Sequence, residues 1–87
     1  NFKLASGRCP VRRLLAAGVE VAIRTDGAAT GDSVDYLDSL RMASLIHKLD
    51  ASAAHPAPDA ARLVRMATAD GAATMGNAAI AGEIAVG

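Results

Sequence analysis

Asp26 is the residue of this 87-residue chain best placed to do chemistry. It closes the run Ile23-Arg24-Thr25-Asp26-Gly27. A carboxylate at the carboxyl end of a parallel strand, opening a glycine-containing loop, stands where α/β and barrel enzymes set their catalytic groups. Asp-Gly is also a common turn dipeptide, so the residues alone leave two readings open: a catalytic carboxylate, or an aspartate that only caps a loop. Thr30, Asp32 and Ser33 follow in a stretch of glycine and small residues, 27–32, that reads as a loop able to line a site.

The remaining reactive side chains are few. Cys9 is the only cysteine, which excludes a disulfide framework and a cysteine-based zinc knuckle within the chain and reads as an ordinary reduced thiol. His47 and His55 match no paired-ligand spacing on one helix face. His47 falls on a polar stripe with Arg41, Ser44 and Lys48, and His55 precedes Pro56 in a linker, so both read as surface histidines. Met42, Met66 and Met75 read as core filling.

Asp26 has to be positioned by the elements around it. Pro10 suits a first helical turn, Val11, Leu14 and Leu15 share a face, and Gly18 offers a left-handed stop, so a short helix is expected between them. Residues 19–26 then alternate: Val19, Val21 and Ile23 point one way, and Glu20, Ala22, Arg24 and Asp26 the other. A helix running directly into a β-branched strand predicts one step of a parallel α/β sheet. Ser33 is a candidate cap for a helix to about Leu49, with Met42, Leu45, Ile46 and Leu49 on one face. Residues 51–58 read as a linker. A helix from Pro58 or Asp59 to Ala67 and a short one from Thr68 to Gly76 should follow. Ile80, Gly82, Ile84 and Val86 alternate again and predict a last strand over 79–86.

Composition bounds the function. Nine basic residues balance nine acidic ones, which leaves no electrostatic footprint for nucleic acid or an anionic membrane. No stretch approaches the roughly 20 apolar residues of a membrane span, and no signal-peptide pattern opens the chain, so a cytoplasmic location is expected. Phe2 and Tyr36 are the only aromatic residues, and alanine dominates the apolar count. Little large apolar surface is available for an independent core. Asn1 is not a methionine and Gly87 ends an apolar alternation, so the chain reads as a fragment of a larger enzyme.

Five stretches in order resemble the closing part of metal-dependent amidohydrolases. They are Asn1-Phe2-Lys3-Leu4-Ala5-Ser6-Gly7; Leu14-Leu15 with Ala17-Gly18-Val19; Thr25-Asp26-Gly27-Ala28-Ala29; Leu40-Arg41-Met42-Ala43 with His47-Lys48-Leu49; and Arg65-Met66-Ala67-Thr68 with Gly71-Ala72. The terminal Gly82-x-Ile84-x-Val86-Gly87 fits the same pattern. The branch that this chain resembles contains cytosine deaminases, methylthioadenosine and S-adenosylhomocysteine deaminases, and triazine chlorohydrolases.

The resemblance implies an α/β fold, the C-terminal part of a (β/α)8 barrel. Residues 1–78 would belong to the barrel, with its eighth strand at about 19–26, and 79–87 would begin the return into a small β-sandwich. It also implies a divalent metal, zinc or iron, in the complete parent, with none expected on the fragment alone. Asp26 matches the family's aspartate at the end of strand eight, a metal ligand and general base. Asn1, Lys3 and Thr30 would lie near a small heteroaromatic substrate, and a homodimer is compatible with the family. Two departures stand out: Arg24 occupies a position where the family commonly has glycine, and Thr30-Gly31-Asp32 replaces a Ser-Asn-Asn. The resulting expectation is part of a hydrolase that cleaves C–N or C–halogen bonds of a heteroaromatic or nucleoside-like ring, the fragment itself being inactive. The alternative is a small helical module that binds a partner and has no chemistry.

Overall fold

A computed structural model describes residues 3–86. Five helices appear in it: α1 (Val11–Ala16), α2 (Ala28–Gly31), α3 (Tyr36–Ile46), α4 (Ala60–Ala67) and α5 (Ala69–Thr74). Three of them meet in sequence, α3 against α4 and α4 against α5. The arrangement is open. Its radius of gyration is 13.8 Å, against about 12 Å for a closed domain of this length, and its thinnest dimension is 19 Å.

Each helix has a local cause. Pro10 precedes α1 and Gly18, at φ +73°, follows it in the left-handed conformation glycine tolerates. At the start of α3 the Asp35 carboxylate accepts hydrogen bonds from the Leu37 and Asp38 amides at 2.9 and 3.4 Å. The expected cap, Ser33, instead accepts from the Asp35 amide at 3.0 Å, so it shapes the turn before the cap. The helix ends at Ile46, short of Leu49. Asp59 caps α4 by accepting from the Arg62 amide at 2.7 Å. Between α4 and α5 the Asp70 side chain, 11% exposed, lies 3.3 Å from both Arg62 and Arg65. Its Oδ2 accepts no well-aligned hydrogen bond, so its attraction to Arg62 is electrostatic rather than directional.

Neither expected strand exists as a paired strand among the described residues. Residues 19–27 have no regular secondary structure, and 78–86 form turns and irregular chain. The physical reason is that a strand is completed by a neighbour, and neither run has one here. The period of two survives in burial over 21–26 but not at Val19, which is exposed. Val21, Ile23 and Thr25 are half-buried, while Ala22, Arg24 and Asp26 are exposed. The Ile23 amide donates to the Met66 carbonyl at 3.0 Å, so the end of α4 takes the place of a ladder partner. In the second run Ile80, Ile84 and Val86 are exposed.

The core is small: Val11, Leu63 and Met66 are buried, with Leu15, Val21, Ile23, Leu40 and Ala43 packed around them. Of the three methionines only Met66 fills this core; Met42 and Met75 are exposed, which corrects the expectation for both. His47 is the second correction. It is 7% exposed and is the one buried polar residue among those described. Helical periodicity places it on a polar stripe, but the segment before α1 folds over the end of α3 and covers it. Arg8 pairs with Asp50, and Arg12 Nη1 donates to the backbone carbonyls of Asp50 and His55, the latter at 2.8 Å. His55 itself is exposed, as expected.

Candidate active site

Lys3, Arg24, Asp26 and Thr30 line one cleft of about 400 Å³, together with the start of α3. Three of these are candidates drawn from separate parts of the sequence; the fourth candidate, Asn1, lies outside the described residues. Asp26 is delivered by the extended run 19–26, which is held from behind. The Tyr36 hydroxyl lies 2.6 Å from the Ile23 carbonyl oxygen and 2.9 Å from that of Ala67, its single proton shared between them. With the Ile23 amide on Met66, both backbone groups of Ile23 are occupied, three residues before Asp26. Periodicity does not single out Tyr36, because this contact depends on the hydroxyl rather than on its face of α3.

Across the cleft, Gly27 starts α2, which occupies part of the expected loop. The Thr30 hydroxyl donates to the Gly27 carbonyl at 3.1 Å, a turn contact that tightens α2. Asp32 ends α2 with φ +60°, and the Lys3 ammonium pairs with its carboxylate while also donating to the Ala29 carbonyl at 3.2 Å. Lys3 therefore fastens the segment before α1 to the loop after Asp26. Arg24 stands on the cleft wall and also borders the hollow behind it, beside Tyr36 and Thr68.

The whole chain, residues 1–87, matches the profile of the amidohydrolase family. The chain belongs to that family. Among curated relatives it is 54% identical over 76 residues to a 5-methylthioadenosine/S-adenosylhomocysteine deaminase of Haloarcula marismortui, covering 87% of this chain and 17% of that protein. It is similar to deaminases of the same description from Thermococcus onnurineus, 47% identical over 79 residues, and Halobacterium salinarum, 50% over 76. These alignments cover 87% of this chain and 18% and 17% of the respective relatives. The chain thus spans about a sixth of the length of these relatives. No solved structure matches it significantly.

Members of the amidohydrolase family are typically metal-dependent, so the fit of a metal was tested against the side chains present. Among the described residues no group of three or more histidine, cysteine, aspartate or glutamate side chains gathers to hold an ion. His47 lines a different cleft, with Arg8 and Arg12, and the exposed His55 does not line the Asp26 cleft. Asp26 fits as one oxygen donor, and the described residues do not complete a centre. Arg24 places a guanidinium on the wall of this same cleft.

Proposed function

We propose that this chain supplies the strand-eight side of the catalytic centre of a deaminase-type amidohydrolase, a (β/α)8 barrel whose substrate is a heteroaromatic or nucleoside-like ring. The observation that carries the reading is the convergence of Lys3, Asp26 and Thr30 on one cleft. The family match across residues 1–87 favours it over a helical interaction module. Residues 19–26 would complete the barrel beside a strand from elsewhere in the protein, and residues from 79 onward would enter a β-sandwich. The names of the relatives point to 5-methylthioadenosine and S-adenosylhomocysteine as first substrates to test.

Asp26 is the ligand this chain would contribute to a divalent metal, zinc or iron, which when bound makes hydroxide available near neutral pH. The carboxylate's own part is proton transfer. It accepts a proton from the attacking water and returns it to the departing amine, so that water adds to the ring carbon, the C–N bond breaks, and ammonia leaves. Lys3 and Thr30 keep the loop after Asp26 in place, and Asn1 is proposed to face the substrate from the same side.

The test is ammonia release by the complete protein on the two adenosine thioethers. Release in step with substrate loss is expected. If the metal-loaded protein liberates neither ammonia from amino-substituted rings nor chloride from chlorinated ones, this function is wrong.

A further inference from the structure

The turn that follows Asp26 is one hydrogen-bonded unit. The Thr30 and Gly31 amides both donate to the Gly27 carbonyl at 3.0 Å, and the Asp32 amide donates to that of Ala28 at 2.9 Å. Gly27 is the residue next to Asp26, so a shift at the far end of this unit reaches the carboxylate through a single peptide link. Asp32 is that far end. It holds φ +60°, a left-handed conformation that aspartate, asparagine and glycine tolerate better than other residues.

Lys3 grips the unit twice, by pairing with the Asp32 carboxylate and by donating to the Ala29 carbonyl at 3.2 Å. Two contacts on one turn set its tilt as well as its place. The segment that carries Lys3 is itself fastened further along, at Arg8, which pairs with Asp50, and at Arg12, which donates to the Asp50 and His55 carbonyls. Resting on the proposed ring hydrolase, we propose that Asp32 is a positioning residue: through Lys3 it holds the turn after Asp26 in the orientation at which the Asp26 carboxylate meets the reacting water. The two side chains are 47% and 73% exposed, so the pair contributes little to overall stability. Its consequence is geometric, since a displacement of about 1 Å at a reacting group can cost roughly 10²-fold in rate. Lys3 then acts on the turn rather than on the substrate.

The experiment uses the complete protein, with kcat and KM for ammonia release read beside amide exchange over residues 27–32. Asp32→Gly and Asp32→Asn both keep the left-handed backbone available, so neither adds strain. Asp32→Gly should lower kcat about 10-fold with KM nearly unchanged, and should speed exchange over 27–32. Asp32→Asn keeps an acceptor for Lys3 and should retain part of both. Lys3→Met should lower kcat at least as much as Asp32→Gly, since it also loses the Ala29 contact, and the double variant should be no worse than Lys3→Met alone. Exchange that responds in this way, in a protein that turns over no amino- or chloro-substituted ring, would leave the clamp standing and refute the hydrolase reading. A Lys3→Met variant that raises KM while Asp32→Gly does not would return Lys3 to the substrate and overturn the proposal. So would losses that add in the double variant, or an Asp32→Gly protein with the kcat of wild type.

Discussion

The Tyr36 hydroxyl lies 2.6 Å from the carbonyl oxygen of Ile23, tying the start of α3 to the run that carries Asp26. The same hydroxyl reaches the Ala67 carbonyl at the end of α4, so one side chain joins three parts of the chain. Tyr36→Phe would leave two part-buried carbonyls sharing no donor. A loss of about 1–2 kcal/mol is expected, with faster amide exchange across residues 21–26 than in α1. Equal exchange in both regions would show that Tyr36 does not hold the Asp26 run.

His47 introduces a pH dependence. Its pKa is lowered first by burial, then by the nearby Arg8 and Arg12 charges, with Asp50 opposing them. Above pH 6.5, the ordinary value, the imidazole is neutral in both states and its contribution to stability is complete. As pH falls below that value the unfolded chain takes up the proton first, and stability is lost until the lowered folded-state pKa is passed. Urea midpoints from pH 8 down to 5 should decline in wild type, and His47→Gln should lack that component. A midpoint that instead rises on acidification would reverse the sign argued here.

Gly82 has φ +100°, and a Cβ built there would stand 2.8 Å from Ala69 Cα and 2.9 Å from Ala72 Cβ. Gly82→Ala therefore combines an unfavourable backbone conformation with a collision against α5. A cost of about 1–3 kcal/mol is expected. Gly31→Ala is the control, since nothing lies within 4 Å of its Cβ position and it sits in α2. Unfolding free energies that rank the two variants the other way would contradict the docking of residues around Gly82 on α5.

Much of this organisation is legible in the residues. Pro10 and Gly18 bracket α1, Asp59 opens α4, and Gly76, at φ +75°, follows α5 as its left-handed stop. The alternation of 21–26 is visible both in the sequence and in burial. What local pattern does not contain is the partner across space. Neither 19–26 nor 79–86 meets a pairing strand among the described residues, and the burial of His47 depends on Arg8 and Arg12 lying across the end of α3. The cap of α3 illustrates competition at short range: Ser33 and Asp35 both suit the position, and the carboxylate prevails because it accepts from two amides at once. Lys3, Asp26 and Thr30, candidates from the residues, line one cleft, whereas the tie made by the Tyr36 hydroxyl has no local signal.

As an 87-residue chain on its own, the molecule should be marginally stable and self-associating. Val11, Leu63 and Met66 make a small core, while Leu37, Leu49, Met75, Ile80, Ile84 and Val86 face solvent. Contiguous apolar exposure and an unpaired extended edge both promote association. Sedimentation velocity should show concentration-dependent species, and a hydrophobic dye should bind. A chain that stays monomeric at every concentration and binds no dye would contradict this.

Asp26→Asn in the complete protein tests most directly whether Asp26 is the carboxylate at which the reaction's proton is handled. The substitution preserves size and one acceptor oxygen but removes the charge and the ability to take up a proton. Packing of the run rests on Val21 and Ile23. Turnover, measured as ammonia release at matched metal content, should fall by about 10²–10⁴-fold, and further where metal is also lost. An Asp26→Asn protein with full metal content and turnover near that of wild type would remove Asp26 from the mechanism.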